Sequence, residues 1–213
     1  MLNEFSTLLK HRLSLPLPGR EAQLQMAHAE RKINLARYKF PQDARWGSIL
    51  ILFYEDENKI KFPLIQRSTY EGVHSGQIGF PGGKFEPGDG NLISTALRET
   101  NEEVGVETSD VEMLGGLTEL YIPPSNFLVH AHVGKIKYRP AFIPDPVEVV
   151  GVIEVSLDDL MDEMLVKEKE ITLSNGLKIV TPYFDFQGHD VWGATAMILS
   201  ELKTIIREIG GGW

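Results

Sequence analysis

The pattern of apolar and polar positions changes near residue 45 and divides the chain into two parts. Residues 3–38 are polar and compatible with helix, except at 15–19, where two prolines lack the N–H group that a helix requires. We therefore predict two short helices and assign them to an N-terminal helical extension over residues 1–40. Residues 41–213 are expected to form the main domain.

After Trp46 the pattern becomes that of a β-sheet with interspersed helices. Ser48 to Tyr54 and Lys61 to Gln66 are apolar runs joined by a polar turn, which predicts a hairpin or a pair of strands. The remaining predicted elements are strands at 113–120, 128–136 and 148–155, an acidic helix at 157–164 and a final helix at 193–209. Because strands and helices follow each other irregularly, we predict an α/β sandwich with a mixed β-sheet.

A glycine-rich segment leads directly into an amphipathic helix. Residues 72–90 contain seven glycines and two prolines, which predicts irregular backbone. Residues 91–104 carry an apolar stripe at helical spacing, and Gly105 is typical of the residue that ends a helix. The loop is therefore expected to deliver the chain into a helix that begins near residue 91.

Three carboxylates lie on one side of this predicted helix. Residues three and four apart are neighbours on a helix, so Glu99 lies beside both Glu102 and Glu103. Like charges at this spacing repel each other, and a solvated acidic helix face is one interpretation. The other is a site for a hard divalent cation, because Mg²⁺ and Mn²⁺ prefer oxygen ligands and often share them with substrate phosphates.

Composition narrows the possible functions. The chain of 213 residues, 42% of them hydrophobic, suits one well-packed domain. Its formal net charge of −9 disfavours nucleic acid and anionic membranes as partners, because both would be repelled. The absence of cysteine excludes disulfides and thiolate nucleophiles. The longest apolar runs contain about six residues, whereas a helix that spans a membrane needs ~20, so we expect a cytoplasmic protein.

The loop and the helix together resemble the Nudix box. In that motif a glycine is followed after five residues by glutamate, and after seven more by Arg-Glu-x-x-Glu-Glu-x-Gly. Residues 98–106 match the second half, with Thr100 at a usually aliphatic position. The first half departs from the motif: counting from Gly83 reaches Asp89 instead of glutamate, and eight residues then separate Asp89 from Arg98. The resemblance implies the Nudix α/β/α sandwich and hydrolysis of a diphosphate bond.

Segments outside the box are similar to the coenzyme A pyrophosphatase subfamily. They are Leu64 to Ser68, Gly76, Phe80 to Gly83, Tyr121 to Asn126 and Trp192 to Ala196. Gly72 stands where that subfamily usually has arginine, and Ile65 replaces a usual threonine. The resemblance implies coenzyme A (CoA) or acyl-CoA as substrate, cleaved to 3′,5′-ADP and (acyl-)4′-phosphopantetheine.

The same resemblance implies the metal ligands. Mg²⁺ or Mn²⁺ would be held by Glu99, Glu102 and Glu103 together with the Gly83 carbonyl. Arg98, four residues before Glu102, is expected to pair with that glutamate and fix its rotamer.

Further residues are candidates for catalysis and substrate binding. Glu148 is the candidate general base or additional ligand, and the alternative is an exposed glutamate where a strand begins. Arg67 is expected to clamp a phosphate through its bidentate guanidinium or else to form a surface ion pair. Gly82 and Gly83 are assigned to substrate binding, as is Lys84, for which a merely solvated lysine is the alternative.

Other signals carry less weight. Gly79 to Lys84 only superficially resembles a phosphate-binding P-loop, because its spacing and its final residue do not match. His130 and His132 face the same way on a predicted strand, but two histidines without a third ligand are typical of half-exposed strand residues. Tyr121 and Phe127 are candidates for stacking on a base or for the core.

Two alternative functions remain open from the sequence. One is a Nudix hydrolase of ADP-ribose, a dinucleotide or a nucleoside triphosphate, and the other is a Nudix-fold module that binds a ligand without chemistry. In each case the partner is a small molecule. The oligomeric state is open, and a homodimer is one of the states allowed.

Overall fold

The computed structural model describes residues 1–35, 41–69, 76–172, 176 and 178–211, and of residues 33–35 it describes the backbone alone. Within this part the helices are α1 (Leu2–Leu13), α2 (Gly19–Leu24), α3 (Ala29–Leu35), α4 (Leu92–Val104), α5 (Leu157–Met161) and α6 (Gly193–Ile209). The strands are β1 (Arg45–Asp56), β2 (Lys59–Arg67), β3 (Ile78–Gly79), β4 (Gly82–Lys84), β5 (Glu112–Gly116), β6 (Leu120–Ile122), β7 (Phe127–Lys135), β8 (Val149–Ser156), β9 (Val166–Thr172), β10 (Lys178–Phe186) and β11 (His189–Trp192).

The predicted hairpin is confirmed. Strands β1 and β2 pair antiparallel, with Asp56 opposite Lys59. The two residues between them, Glu57 and Asn58, have φ angles of 49° and 57°. Positive φ at both central positions is the geometry of a type I′ turn, whose twist matches that of the strands that it joins. The hairpin supplies two central strands of the main sheet.

The main sheet is mixed, as predicted. Among the described residues it has eight strands, five of them in the order β3-β2-β1-β7-β5, while β4, β6 and β8 pair with β1, β7 and β2. Strands β1 and β7 run parallel, and the other pairs within this sheet are antiparallel. A parallel pair inside an otherwise antiparallel sheet needs a long crossover. Helix α4 lies within that crossover, between β4 and β7.

Both faces of the sheet are covered by helices. Alternate side chains of β1 point to opposite faces, so Leu50 and Leu52 pack with Ala96 and Val104 of α4. Ile51 and Phe53 point the other way, into a larger core that contains residues of α1 and α6. This arrangement confirms the predicted α/β/α sandwich.

The N-terminal helices contribute to the larger core. Phe5 of α1 is fully buried and meets Phe53 edge to face, with ring centroids 5.1 Å apart. The interruption expected at 15–19 lies between α1 and α2. Three helices are present where two were predicted, because residues 19–35 form two short helices. The division of the chain at residue 40 into an N-terminal extension and a main domain stays a prediction.

One predicted strand is wrong in its extent. Residues 113–120 do not form a single strand but belong to β5 and β6, with a break between them. In the break, the N–H and hydroxyl groups of Thr118 donate to the buried carboxylate of Glu201 on α6. These bonds replace bonds to a neighbouring strand, which explains why pairing stops there.

Candidate active site

A capped turn joins the glycine-rich loop to α4. The side chain of Asn91 accepts a hydrogen bond from the N–H of Ser94 at 2.9 Å and so caps the helix at the predicted start. Gly105 ends it in the left-handed conformation, with φ of 70°. A Cβ at position 105 would lie 2.9 Å from Cβ of Ile143, so glycine is also required by packing. The predicted helix is therefore confirmed at both ends.

Gly82 holds the loop against the central strand. Strand β4 pairs with β1, placing Gly82 opposite Ile49. The φ of Gly82 is 147°, and a Cβ there would lie 2.3 Å from the Ser48 carbonyl oxygen. Only glycine can occupy this position without a shift of the backbone. Its N–H group is thereby directed at α4, where it donates to Oε2 of Glu103 at 2.7 Å.

Glu103 is a buried carboxylate. Its side chain is 1% exposed, and this burial raises the pKa to about 7 despite the nearby positive charge of Arg67. Its second oxygen, Oε1, lies 2.9 Å from Nη1 of Arg67 but accepts no hydrogen bond of acceptable geometry from the described residues. A buried carboxylate oxygen in this state retains acceptor capacity for a cation or a water molecule.

Glu99 lies directly against Gly83. A Cβ at position 83 would come within 2.5 Å of Cδ and Oε2 of Glu99 and within 2.6 Å of Oε1. The missing side chain at Gly83 therefore makes the space that the Glu99 carboxylate fills. Burial raises the pKa of Glu99, and the charges of Glu102 and Glu148 act in the same direction.

Arg98 binds more partners than the sequence predicted. It contacts Glu102 as expected, with Nη1 2.8 Å from Oε2, and it also lies 2.9 Å from Oε1 of Glu99. Its shortest bond is to Asp89, with Nε 2.7 Å from Oδ1, and Nη2 donates to Oδ2 of the same carboxylate at 3.2 Å. Asp89, whose spacing departs from the motif, is therefore the carboxylate that anchors this arginine.

Asp89 is itself fixed from several sides. Its side chain is 4% exposed and also accepts hydrogen bonds from the Thr95 hydroxyl and the Glu86 N–H. The bond from Arg98 is the main cause that holds the pKa of Asp89 well below its usual range. The short 3₁₀ helix Pro87–Asp89 ends at this residue, and the Asp89 carboxylate lies against Thr95 and Arg98 of α4.

Arg67 and Glu148 lie at the ends of two paired strands beside Glu103. Nη2 of Arg67 donates to the Gly82 carbonyl at 2.7 Å while Nη1 pairs with Glu103, so the arginine is an inner partner of the site and not a surface ion pair. Glu148 is exposed, and its carbonyl accepts a hydrogen bond from the Ser68 N–H. Its charge is close enough to raise the pKa of Glu99 and of Glu103.

The remaining residues singled out from the sequence are Lys84, the two histidines of β7 and Gly72. Lys84 is exposed and lines the cavity described below. His130 and His132 are half-buried on β7, as expected of strand residues. Gly72, the departure from the subfamily pattern, lies outside the described residues.

The donor set fits a hard divalent cation. It offers the carboxylates of Glu99, Glu102 and Glu103, and one of their oxygens, Oε1 of Glu103, accepts no hydrogen bond from the described residues. Three acidic or imidazole side chains do not already converge on a point in the part of the chain that is described. Mg²⁺ seldom needs such a cage, because it keeps several waters and takes one or two carboxylates together with substrate phosphates.

A cavity of about 240 Å³ opens beside this carboxylate cluster. Five segments that are distant in sequence supply its walls. They are residues 47–49, Arg67, residues within 77–84, residues within 122–129 and residues within 192–198. The hydroxyl of Thr195 donates to the Ile78 carbonyl at 2.9 Å and ties the start of α6 to β3. The cavity is connected to the helix glutamates through Gly82 and Gly83, which line it and contact Glu103 and Glu99.

The fold and the site define a class of α/β sandwich hydrolases in which a glycine turn meets a glutamate-rich helix. A model of the NUDIX domain matches residues 44–175 of the chain. Because this is more than half of its length, the protein belongs to the NUDIX family, and it is a Nudix hydrolase. Nudix hydrolases generally use divalent metal ions such as Mg²⁺ or Mn²⁺ and bind small-molecule substrates.

Relatives and solved structures agree with this assignment. The Nudix hydrolase NudL of Yersinia pestis (strain Pestoides F), described as uncharacterised, is 29% identical over 180 residues, which cover 84% of this chain and 88% of NudL. NudL of Yersinia pseudotuberculosis serotype O:1b (strain IP 31758) gives the same values. The crystal structure of a MutT/nudix family protein from Enterococcus faecalis superposes with a TM-score of 0.50 at 16% identity, covering 91% of this chain and 76% of that one, and this likeness supports the fold alone.

No helix in the described part of the chain is both long enough and apolar enough to cross a lipid bilayer.

Proposed function

We propose that the protein is a Mg²⁺- or Mn²⁺-dependent diphosphatase that cleaves CoA or acyl-CoA to 3′,5′-ADP and (acyl-)4′-phosphopantetheine. One observation carries the choice of substrate. Four of the segments that resemble the CoA pyrophosphatase subfamily are far apart in sequence, yet each contributes to one cavity beside the glutamates. The residues that line it are Arg67 from the first segment, Phe80, Gly82 and Gly83 from the second, Ile122 and Ser125 from the third, and Trp192, Ala194 and Thr195 from the fourth. Likeness that gathers around a single pocket is what a shared substrate requires.

The chain's own residues have distinct tasks in this proposal. Glu99, Glu102, Glu103 and the Gly83 carbonyl would hold the divalent ions, and bound ions of this kind would supply charge neutralisation for the diphosphate and a lowered pKa for water. Gly82 orients Glu103 through its N–H group. Asp89 holds Arg98, which in turn restrains Glu99 and Glu102.

Glu148 is proposed as the general base. Its exposed carboxylate would take a proton from a water molecule as the water oxygen bonds to phosphorus and the P–O–P bond breaks. The departing phosphate oxygen carries the electron pair away. Arg67, beside the Gly82 carbonyl and Glu103, would contact the diphosphate, and Lys84 is the second candidate for such a contact.

The net charge of −9 supports a small-molecule substrate over nucleic acid or an anionic membrane, since both polyanions would repel the protein. A cytoplasmic location is proposed from the shortness of the apolar runs in the sequence. A homodimer stays a prediction, and light scattering at several protein concentrations tests it.

Product analysis tests the proposed reaction. Purified protein is incubated with Mg²⁺ or Mn²⁺ and, in separate reactions, with CoA, 3′-dephospho-CoA, ADP-ribose, a dinucleotide and a nucleoside triphosphate. Chromatography with mass detection should find 4′-phosphopantetheine released from CoA with the highest kcat/KM. Faster cleavage of any substrate without a pantetheine group would assign another Nudix reaction. The ratio of the kcat/KM values for CoA and 3′-dephospho-CoA reports whether the 3′-phosphate is recognised despite Gly72.

A further inference from the structure

The lining of the cavity beside the glutamates is charged at one end only. Arg67 and Lys84 lie at the end formed by the Gly82–Gly83 turn. The far end, which lies across β1 from β4, is lined by Ile122, Phe127 and Val129 of β6 and β7 and by Ile198 of α6, and no acidic or basic side chain joins them among the described lining residues. One cation lies close to these residues: the guanidinium of Arg45 is 4.3 Å from the Phe127 ring centroid, but it already donates to the Ser125 carbonyl. A highly charged group at the far end would therefore lose its hydration with little compensation from the lining.

Ser125, one of the lining residues, carries an unsatisfied hydroxyl. Ser125 is only 8% exposed, and its Oγ has no hydrogen-bond partner among the described residues. Two other hydroxyls of the lining are satisfied: that of Thr195 donates to Ile78, and that of Ser48 donates to the Leu92 carbonyl at 2.6 Å. Because buried polar groups are almost always paired, the exception at Ser125 points to a partner that comes with the ligand.

The turn that carries Ser125 is rigid. Pro123 and Pro124 precede it in a 3₁₀ helix, Pro123–Ser125, and their rings fix φ. The Ser125 carbonyl accepts a hydrogen bond from Nη2 of Arg45 at 2.5 Å, and the Asn126 side chain is held by the Tyr121 hydroxyl. The hydroxyl therefore cannot find another partner by a movement of its backbone.

We propose that the far end of the cavity receives the pantetheine arm of CoA, with the Ser125 hydroxyl bonded to an amide of that arm, while the 3′-phosphoadenosine half lies outside. This inference rests on the proposed function. The arm combines apolar groups with two neutral amides and suits apolar walls that carry one hydroxyl. The 3′-phosphate of the other half is a dianion and would be desolvated there.

The reach of the arm agrees with this placement. Gly82 pairs with Ile49 and Phe127 pairs with Arg45, so four residues of β1 separate the diphosphate end of the cavity from the Ser125 turn. At about 3.3 Å per residue this is roughly 13 Å along β1, and because β4 and β7 lie on opposite sides of β1 the two backbone segments are about 16 Å apart. Ten covalent bonds join the phosphorus to the second amide nitrogen of pantetheine, which spans about 12 Å when extended, and a hydrogen bond adds about 3 Å. The extended arm is therefore long enough to bring an amide near Ser125.

Ser125→Ala tests the inference through the two products as inhibitors. The change removes the hydroxyl and leaves the carbonyl that Arg45 binds. Inhibition constants (Ki) of 4′-phosphopantetheine and of 3′,5′-ADP are measured against CoA hydrolysis for the variant, the wild type and a control, Ser109→Ala, which makes the same chemical change at an exposed position. We expect the Ki of 4′-phosphopantetheine to rise about three- to tenfold in Ser125→Ala, as for one lost hydrogen bond. The Ki of 3′,5′-ADP should not change.

Thermal melting separates binding from folding. Removing an unsatisfied buried hydroxyl should leave the melting temperature of Ser125→Ala equal to that of the wild type or higher. A rise in the Ki of 3′,5′-ADP instead, or no change in either constant, would overturn the inference while the proposed reaction stands. A wild-type protein that leaves CoA intact would overturn the proposed function, and the inference with it, before any variant is compared.

Discussion

Replacing Gly83 with alanine tests the geometry of the site without changing any of its carboxylates. The new Cβ would lie 2.5 Å from Cδ of Glu99, whereas an ordinary contact begins at about 3.4 Å, so the carboxylate must move by about 1 Å. Gly83 does not have the left-handed φ that would strain alanine. The end of a flexible glutamate can move at little cost in stability, and alanine restricts the unfolded chain.

The expected result is therefore a loss of activity in a folded protein. We expect kcat to fall by about 10²-fold, as for a catalytic group misplaced by 1 Å, with an unchanged or slightly raised melting temperature. Rates of CoA cleavage, Mn²⁺ affinity by electron paramagnetic resonance and thermal melting are measured together. The matched control is Gly88→Ala in the same loop, where a Cβ would meet nothing within 4 Å and activity should not change. Turnover of Gly83→Ala within about threefold of the wild type would refute the role given to Glu99.

Two further predictions concern stability. Asp89→Asn should weaken the contact with Arg98 and destabilise the protein by about 1–3 kcal/mol at neutral pH, measured by urea unfolding. The pKa of Asp89 is lower in the folded than in the unfolded protein, so its ionised side chain stabilises the fold above the unfolded pKa, and this stabilisation is lost as the pH falls below about 4. The Asp89→Asn variant should therefore lose less stability on acidification than the wild type. Equal losses of unfolding free energy in the two proteins would contradict this. Phe5→Ala should destabilise the protein by about 3–5 kcal/mol, because α1 contributes to the main core; a change under about 1 kcal/mol would show a separable extension.

Elements with a strong period were predictable from the sequence. The apolar stripe of α4, its cap at Asn91 and its end at Gly105 are local signals, and so are the two apolar runs of the β1–β2 hairpin. The final helix was predicted at the residues where α6 lies. In each case the structure depends on neighbours within a few residues.

Elements that depend on distant contacts were not predictable. The second sheet, β11-β10-β9, was not predicted, because lysines and glutamates occupy most exposed positions of β9 and weaken its apolar pattern. The break at Thr118 depends on Glu201, which lies on the last helix.

In the candidate active site, too, local features were predictable from the sequence and distant contacts were not. The helix glutamates are adjacent in sequence and could be identified as a cluster. The ion pair of Arg67 with Glu103 and the unsatisfied hydroxyl of Ser125 arise only when separate strands and turns meet. The role of Asp89 was missed for a different reason: counting residues along the loop does not show that its carboxylate meets Arg98, Thr95 and the Glu86 N–H.

Glu103→Gln tests most directly whether the helix carboxylates support metal-dependent hydrolysis. Glutamine keeps the shape and can still accept the Gly82 N–H bond, but it removes the negative charge. Burial raises the pKa of Glu103 to about 7, so ionisation of this side chain lowers the stability of the metal-free protein as the pH rises from about 4.5 to 7. At pH 8 the Glu103→Gln variant should therefore melt at a temperature no lower than that of the metal-free wild type. With Mg²⁺ or Mn²⁺ we predict a loss of at least about 10²-fold in kcat and weaker Mn²⁺ binding. A folded Glu103→Gln protein with wild-type turnover would contradict the account.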